Sequence, residues 1–283
     1  MSNAILLISC PDKKGITAAV SQFIYVNGGN IEHADQHIDH QSNTFFMRVE
    51  WSLEGFKIKK EEISSYFNPI AKEFNMSWSL YFTDQTPRAA IFVSKYMHCL
   101  YDLLLRYKAG QFSCQIPLII SNHPQAKEVA DKFGVKFLEF AISPDNKVDQ
   151  EKRQIDVLND NSIDLIVLAR YTQILTSRFI SDFPNRIINI HHSFLPAFVG
   201  KNPYQRAYRK GVKIIGATSH YVTEELDAGP IIEQDITRVS HRDCLDDLIR
   251  EGQDLEKVVL SRAVRWHLER KILVYNNKTV VFD

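Results

Sequence analysis

From residue 88 onward the chain alternates short apolar runs with amphipathic stretches, and this rhythm restricts the fold more than any other feature. "AAIFVS", "QIPLIISN", "KFLEF", "DLIVLA" and "RIINIH" read as buried strands. "HCLYDLLLRYKAG", "PQAKEVADKFG" and "EKRQIDVLNDNS" separate several of them and repeat apolar residues at helical spacing. Strands alternating with helices predict an α/β fold with a doubly wound, mostly parallel, Rossmann-like sheet. Such sheets bind ligands outside the carboxyl ends of their strands.

The segment before it has a different order. "AILLISC" is a strand, "ITAAVSQFIYV" a helix closed by the glycines of "NGGN", and "IEHADQHID" and "FFMRVEW" are paired strands. "KKEEISSYFNPIAKEF" is a second helix and "MSWSLYF" a last strand. This βαββαβ order predicts a ferredoxin-like domain with two helices on one face of an antiparallel sheet. The polar linker "TDQTPR" divides the chain into domains at 1–84 and 85–283. Two domains also suit 283 residues, at roughly 150 residues per domain.

The chain carries 34 basic and 34 acidic side chains, which argues against nucleic acid as a partner. No apolar run approaches the ~20 residues that cross a bilayer, and "MSNAILLISC" lacks a positive leader, so a cytoplasmic location is expected. Cys10, Cys99, Cys114 and Cys244 show no CxxC spacing and read as free thiols, Cys99 as a small core residue.

The chemistry concentrates after "RIINI", in "NIHHSFLPAF". Asn189 and His191 are two apart, so an extended strand aims them to one side and His192 to the other. "KIIGATSHYV" carries His220 near another strand end, and "TEELDAGPIIEQ" carries Asp227 in a turn. An amide, histidines and a carboxylate at strand ends can perform acid–base work. Zinc on His191, His192 and His220 is disfavoured beside an amide and without cysteine. His33, His37 and His40 lie on a strand that sends His40 away from the other two, so no metal is expected there either.

"NIHHSFLPAF" followed by "GVKIIGATSHYV" and "LDAGPII" resembles the formyltransferase family that uses 10-formyltetrahydrofolate, over roughly residues 88–283. The N-terminal unit resembles an ACT domain, a ligand-sensing module. Placed ahead of this core, it matches the branch whose acceptor is water. The resemblance implies hydrolysis of 10-formyltetrahydrofolate to formate and tetrahydrofolate, which balances one-carbon pools and supplies formate for purine synthesis. The folate is substrate, and no cofactor is implied. Asn189 and His191 would face the formyl oxygen, with Asp227 as base or as the orienter of His191. By resemblance, Ile174, Leu175, Leu226 and Asp227 hold the pteridine ring, and His220 lies in the pocket. Gln173 stands where many relatives carry arginine, so a neutral amide replaces a permanent cation.

A phosphorylated amine acceptor would call for a glycine-rich turn after the first strand of the core. The stretch here is "VSKYMHCL", and the chain ends soon after "RKILVYNNKTVVFD", so the additional basic C-terminal domain of the transfer-RNA branch of the family is not expected. A formyltransferase to an amine and a non-catalytic folate sensor are the competing readings. In ACT domains, the regions of Asp12, Gly15, Asn27 and Asn30 line an effector site between paired domains. Glycine and methionine are the usual effectors, and pairing implies a homodimer or homotetramer.

Overall fold

The computed structural model describes residues 2–197 and 203–283. The chain forms two compact units. The first runs to Thr86 and takes in Arg270–Leu273 and Val280–Asp283; the second is Pro87–Glu269 with Val274–Thr279.

The first unit contains β1 (Asn3–Pro11), α1 (Ile16–Val26), β2 (Asn30–Asp39), β3 (Thr44–Ser52), a 3-10 turn at 60–62, α2 (Ile63–Glu73) and β4 (Ser77–Phe82). Its sheet has the order β2-β3-β1-β4 with antiparallel neighbours throughout. Leu6, Ile8, Val49 and Trp51 alternate onto the face that meets Ile16, Val20, Ile24 and Phe67 of the helices. This is the predicted βαββαβ unit. The C-terminal segments were expected within the second domain. Arg48 Nε instead donates to Arg270 O at 3.1 Å, and the Arg270 guanidinium lies 4.3 Å from the centre of the Tyr81 ring. These contacts tie the segment to the first unit. On β2, His37 stacks on Phe46 and His33 Nδ1 lies 3.4 Å from Arg48, while His40 sits in the following turn.

The second unit is built on β5 (Arg88–Val93), α3 (His98–Lys108), β6 (Gln115–Ser121), α4 (Ala126–Phe133), β7 (Lys136–Glu139), α5 (Lys147–Asp160), β8 (Leu165–Leu168) and α6 (Ser177–Asp182). Next come β9 (Ile187–His191), α7 (Pro203–Lys210), β10 (Ile214–Tyr221), β11 (Ile231–Arg238) and α8 (Leu245–Leu268). A hairpin of β12 (Ile272–Tyr275) and β13 (Lys278–Val281) closes the chain. The sheet order is β11-β10-β9-β8-β5-β6-β7. Strands β7, β6, β5, β8 and β9 are parallel, whereas β10 is antiparallel to both β9 and β11.

From β5 the chain winds outward to β7 and then returns to β8 on the opposite side of β5. The crevice at that reversal lies outside the carboxyl ends of β5 and β8. Helix α8, the longest, was not expected from the sequence. Its buried residues, including Leu248, Gly252, Glu256, Val259, Leu260 and Ala263, recur at helical spacing, so the pattern was there to be read.

Candidate active site

Three strand ends and one turn enclose a cleft of about 480 Å³, a size suited to a small-molecule site. Strand β9 supplies Asn189 and His191, β10 supplies His220, and the loop after β8 supplies Arg170 to Leu175. Asp227 comes from the turn between β10 and β11.

That turn is fixed by the backbone. Asp227 has φ of 56°, in the left-handed region that only a few non-glycine residues occupy. Two residues later, a Cβ on Gly229 would lie 1.8 Å from the Tyr221 carbonyl oxygen. Tyr221 N donates to Pro230 O at 2.9 Å, closing the turn onto the end of β10. Only glycine allows that approach.

Asp227 Oδ2 stands 3.3 Å from His191 Nδ1. A carboxylate accepts, so Nδ1 carries the proton and Nε2 is the nitrogen left unprotonated. His191 is buried, and its Nε2 has no partner among the described residues. Burial alone would raise the Asp227 carboxyl. The hydrogen bond and electrostatic attraction of His191, joined by the neighbouring histidine rings, outweigh it and hold the group below its ordinary value.

His220 Nδ1 lies 2.9 Å from the Tyr221 carbonyl oxygen, which can only accept. The proton is therefore on Nδ1, and Nε2 accepts from Asn189 Nδ2 at 3.2 Å. Burial lowers the His220 pKa, in keeping with a neutral ring. The 3.8 Å approach of His220 Nε2 to Asp227 Oδ1 is accordingly not a charged pair. One Asn189 N–H is committed to His220, and the second has no partner among the described residues.

The loop after β8 is held from below. Ser94 Oγ accepts from Thr172 N at 3.0 Å and donates to Asn122 Oδ1 at 2.6 Å. Ser94 N donates to Arg170 O at 3.3 Å. The buried Glu151 carboxylate accepts from the backbone and hydroxyl of Thr176, at the start of α6. Leu175 is thereby buried in the core, while Ile174 and Leu226 are each more than half exposed along the cleft.

A second group of polar side chains lies behind this cleft. Glu256 of α8 is fully buried and accepts from His98 Nε2 at 2.7 Å and Tyr204 Oη at 2.6 Å. Arg170 Nε is 3.4 Å from its carboxylate, an ion pair without hydrogen-bond geometry. Burial would raise the Glu256 carboxyl; His98, Arg170 and Tyr204 reverse that and lower it. Burial, followed by the Arg170 charge, lowers His192 to a pKa of about 3.

His98, Cys99 and Glu256 place ligand-type atoms within 4.8 Å of one another. Both Glu256 oxygens are already bonded, burial raises the Cys99 thiol, and Arg170 opposes a further cation. We read this set as a hydrogen-bonded network.

The structure thus brings Asn189, His191, His220, Asp227, Ile174, Leu175 and Leu226 to one cleft. His192, expected on the opposite side, also lines it, because β9 ends at His191 and strict alternation ends with it. Asp12 and Gly15 precede α1 while Asn27 and Asn30 follow it. That helix of 11 residues spans about 16 Å, so the four do not converge within one chain. Sequence reasoning missed Arg170 and Glu256. A carboxylate within the apolar stripe of α8 was the signal for the latter.

The formyl transferase family model matches residues 87–264 and the ACT domain model matches residues 4–58. The fold and cleft thus define a formyl transferase core preceded by an ACT domain. A formyltetrahydrofolate deformylase from a Synechocystis species is 57% identical, covering 99% of this chain and 98% of the relative. The deformylase of Bacillus subtilis is 49% identical over 98% of this chain and 93% of its own length. A crystal structure of a formyltetrahydrofolate deformylase from Pseudomonas syringae superposes with a TM-score of 0.97 at 43% identity, covering 100% of this chain and 95% of that one. The chain belongs to the formyltetrahydrofolate deformylase family.

Proposed function

We propose that this protein hydrolyses 10-formyltetrahydrofolate to formate and tetrahydrofolate, and that Asn189, His191 and Asp227 carry the reaction. The observation that supports this most directly is the free Nε2 of His191, set in one cleft with Asn189 and backed by Asp227.

Water attacks the formyl carbon as His191 Nε2 takes one of its protons. Charge moves to the formyl oxygen, where the second N–H of Asn189 donates. One such donor contributes about 3 kcal/mol. Asp227 keeps His191 in the tautomer that accepts at Nε2 and stabilises the imidazolium that forms. The carbon–N10 bond then breaks, N10 takes the proton from His191, and formic acid ionises to formate with release of a proton. His220 acts through Asn189 by fixing its amide. Ile174, Leu175 and Leu226 offer apolar surface and backbone groups to the pteridine.

Water as acceptor suits the wall opposite. After β5, bulky Tyr96 lies under the Arg170 guanidinium at 5.2 Å, and His98 is bonded to Glu256. No glycine-rich phosphate cradle stands there. In the ACT unit, an amino-acid effector at Asp12, Gly15, Asn27 and Asn30 requires a second copy to bring the two ends of α1 together. β2, at the edge of its sheet, is the surface we assign to that pairing.

Purified protein incubated with 10-formyltetrahydrofolate alone tests the reading. Formate and tetrahydrofolate should accumulate in equal amounts. Formate that forms only when an amine is added would favour a transferase.

A further inference from the structure

We infer that Arg170 forms a subsite for a small carboxylate in the reaction cleft and there holds the formate produced by hydrolysis. This rests on the hydrolase reading above.

Arg170 is the one arginine or lysine among the described residues that line the cleft, which also contains Asp227 and Glu224. Formate formed beside Asp227 is an anion next to an anion, and its retention or orderly departure needs a nearby cation. Gln173, on the same loop, is neutral, and Arg170 faces the cleft three residues earlier.

The guanidinium is anchored without being used up. Glu256 lies 3.4 Å from Nε, yet its two oxygens already accept from His98 and Tyr204. The Tyr96 ring packs on the guanidinium at 5.2 Å, and Ser94 N fixes the Arg170 carbonyl. Arg170 itself has φ of 63°, so its place at the mouth of β8 is set by a left-handed backbone. Neither Nη donates to a described acceptor. A planar, positioned fork with open donors is the geometry that binds a carboxylate through two parallel hydrogen bonds.

His192 also lines the cleft. Its ring lies 5.0 Å from that of His191 and 6.0 Å from that of Tyr204. Arg170, Asn189 and His191 line the same cleft, so the carboxylate subsite opens onto the proposed reacting atoms.

The test is product inhibition by sodium formate at constant ionic strength, with chloride as control, in wild type, Arg170→Met and Arg170→Lys. Binding of [13C]formate is followed in parallel by NMR without turnover. Formate should inhibit wild type beyond the chloride control. Its Ki should rise roughly tenfold or more in Arg170→Met, the loss expected for one charge-assisted pair. Arg170→Lys keeps the charge but not the fork and should fall between. Retained binding of 5-formyltetrahydrofolate shows that the cleft is intact in each variant. If Arg170→Met fails to fold, the Arg170→Lys shift and the NMR titration decide. Equal formate affinity in wild type and the folded variants, or none in wild type, overturns the inference. Wild type that binds formate but hydrolyses nothing overturns the proposed function instead.

Discussion

Asn189 and His220 are paired directly across the antiparallel strands β9 and β10, with Asn189 Nδ2 3.2 Å from His220 Nε2. Thirty-one residues separate them in sequence. The pairing sets which way the amide points, because His220 can only accept at Nε2 while its Nδ1 proton is held by Tyr221 O. It makes His220 a positioning residue for the donor proposed above to face the formyl oxygen.

Removing the donor and removing its support should differ. Asn189→Ala should lower kcat by about 10²–10³-fold. His220→Ala should lower kcat by roughly tenfold with little change in KM, since the amide remains but turns freely. Steady-state kinetics of both variants checks this. Equal losses would assign His220 a direct role.

Asp227→Asn is a mild change for the turn, because asparagine tolerates the left-handed backbone that Asp227 occupies. It should cost about a hundredfold or more in kcat, through loss of the His191 tautomer and its counter-charge. Binding of a folate analogue should survive. A variant that hydrolyses at the wild-type rate would remove Asp227 from the mechanism.

Stability should fall on acidification through His192. Its folded pKa of about 3 lies below the ordinary value of 6.5, so between those pH values the unfolded chain binds the additional proton. Stability is therefore complete above about pH 6.5 and declines as pH falls toward 3, by on the order of 3 kcal/mol given the partial exposure of the ring. Urea melts at several pH values should show this slope, reduced in His192→Asn.

Gly229→Ala forces its new carbon against the Tyr221 carbonyl. The expected loss is about 3 kcal/mol, with a larger fall in kcat than in folate affinity, because Asp227 rides on the same turn. Thermal unfolding and kinetics together test it.

Glu256→Gln keeps the shape of the side chain but leaves the Arg170 cation without its counter-charge. Breaking a buried pair in this way should destabilise the protein by about 3 kcal/mol. Chemical denaturation measures it. An unchanged midpoint would mean that Arg170 finds its partner elsewhere.

The amino-acid sequence by itself determined the two architectures and the placement of half of the candidate site. Apolar alternation after residue 88 requires a sheet covered on both faces, and a strand-end "NIHH" must then open onto the crevice. Asn189 and His191 share a face because strand periodicity is local. The tertiary structure decided the rest. The antiparallel entry of β10 set His220 against Asn189, and the left-handed turn at Asp227 returned a carboxylate to His191. Helix α8 carried Glu256 behind the cleft to anchor Arg170, 86 residues away in sequence by difference of their numbers. Local periodicity is written within a few neighbouring residues. Contacts between distant segments depend on strand order and direction, and no short stretch of sequence encodes those.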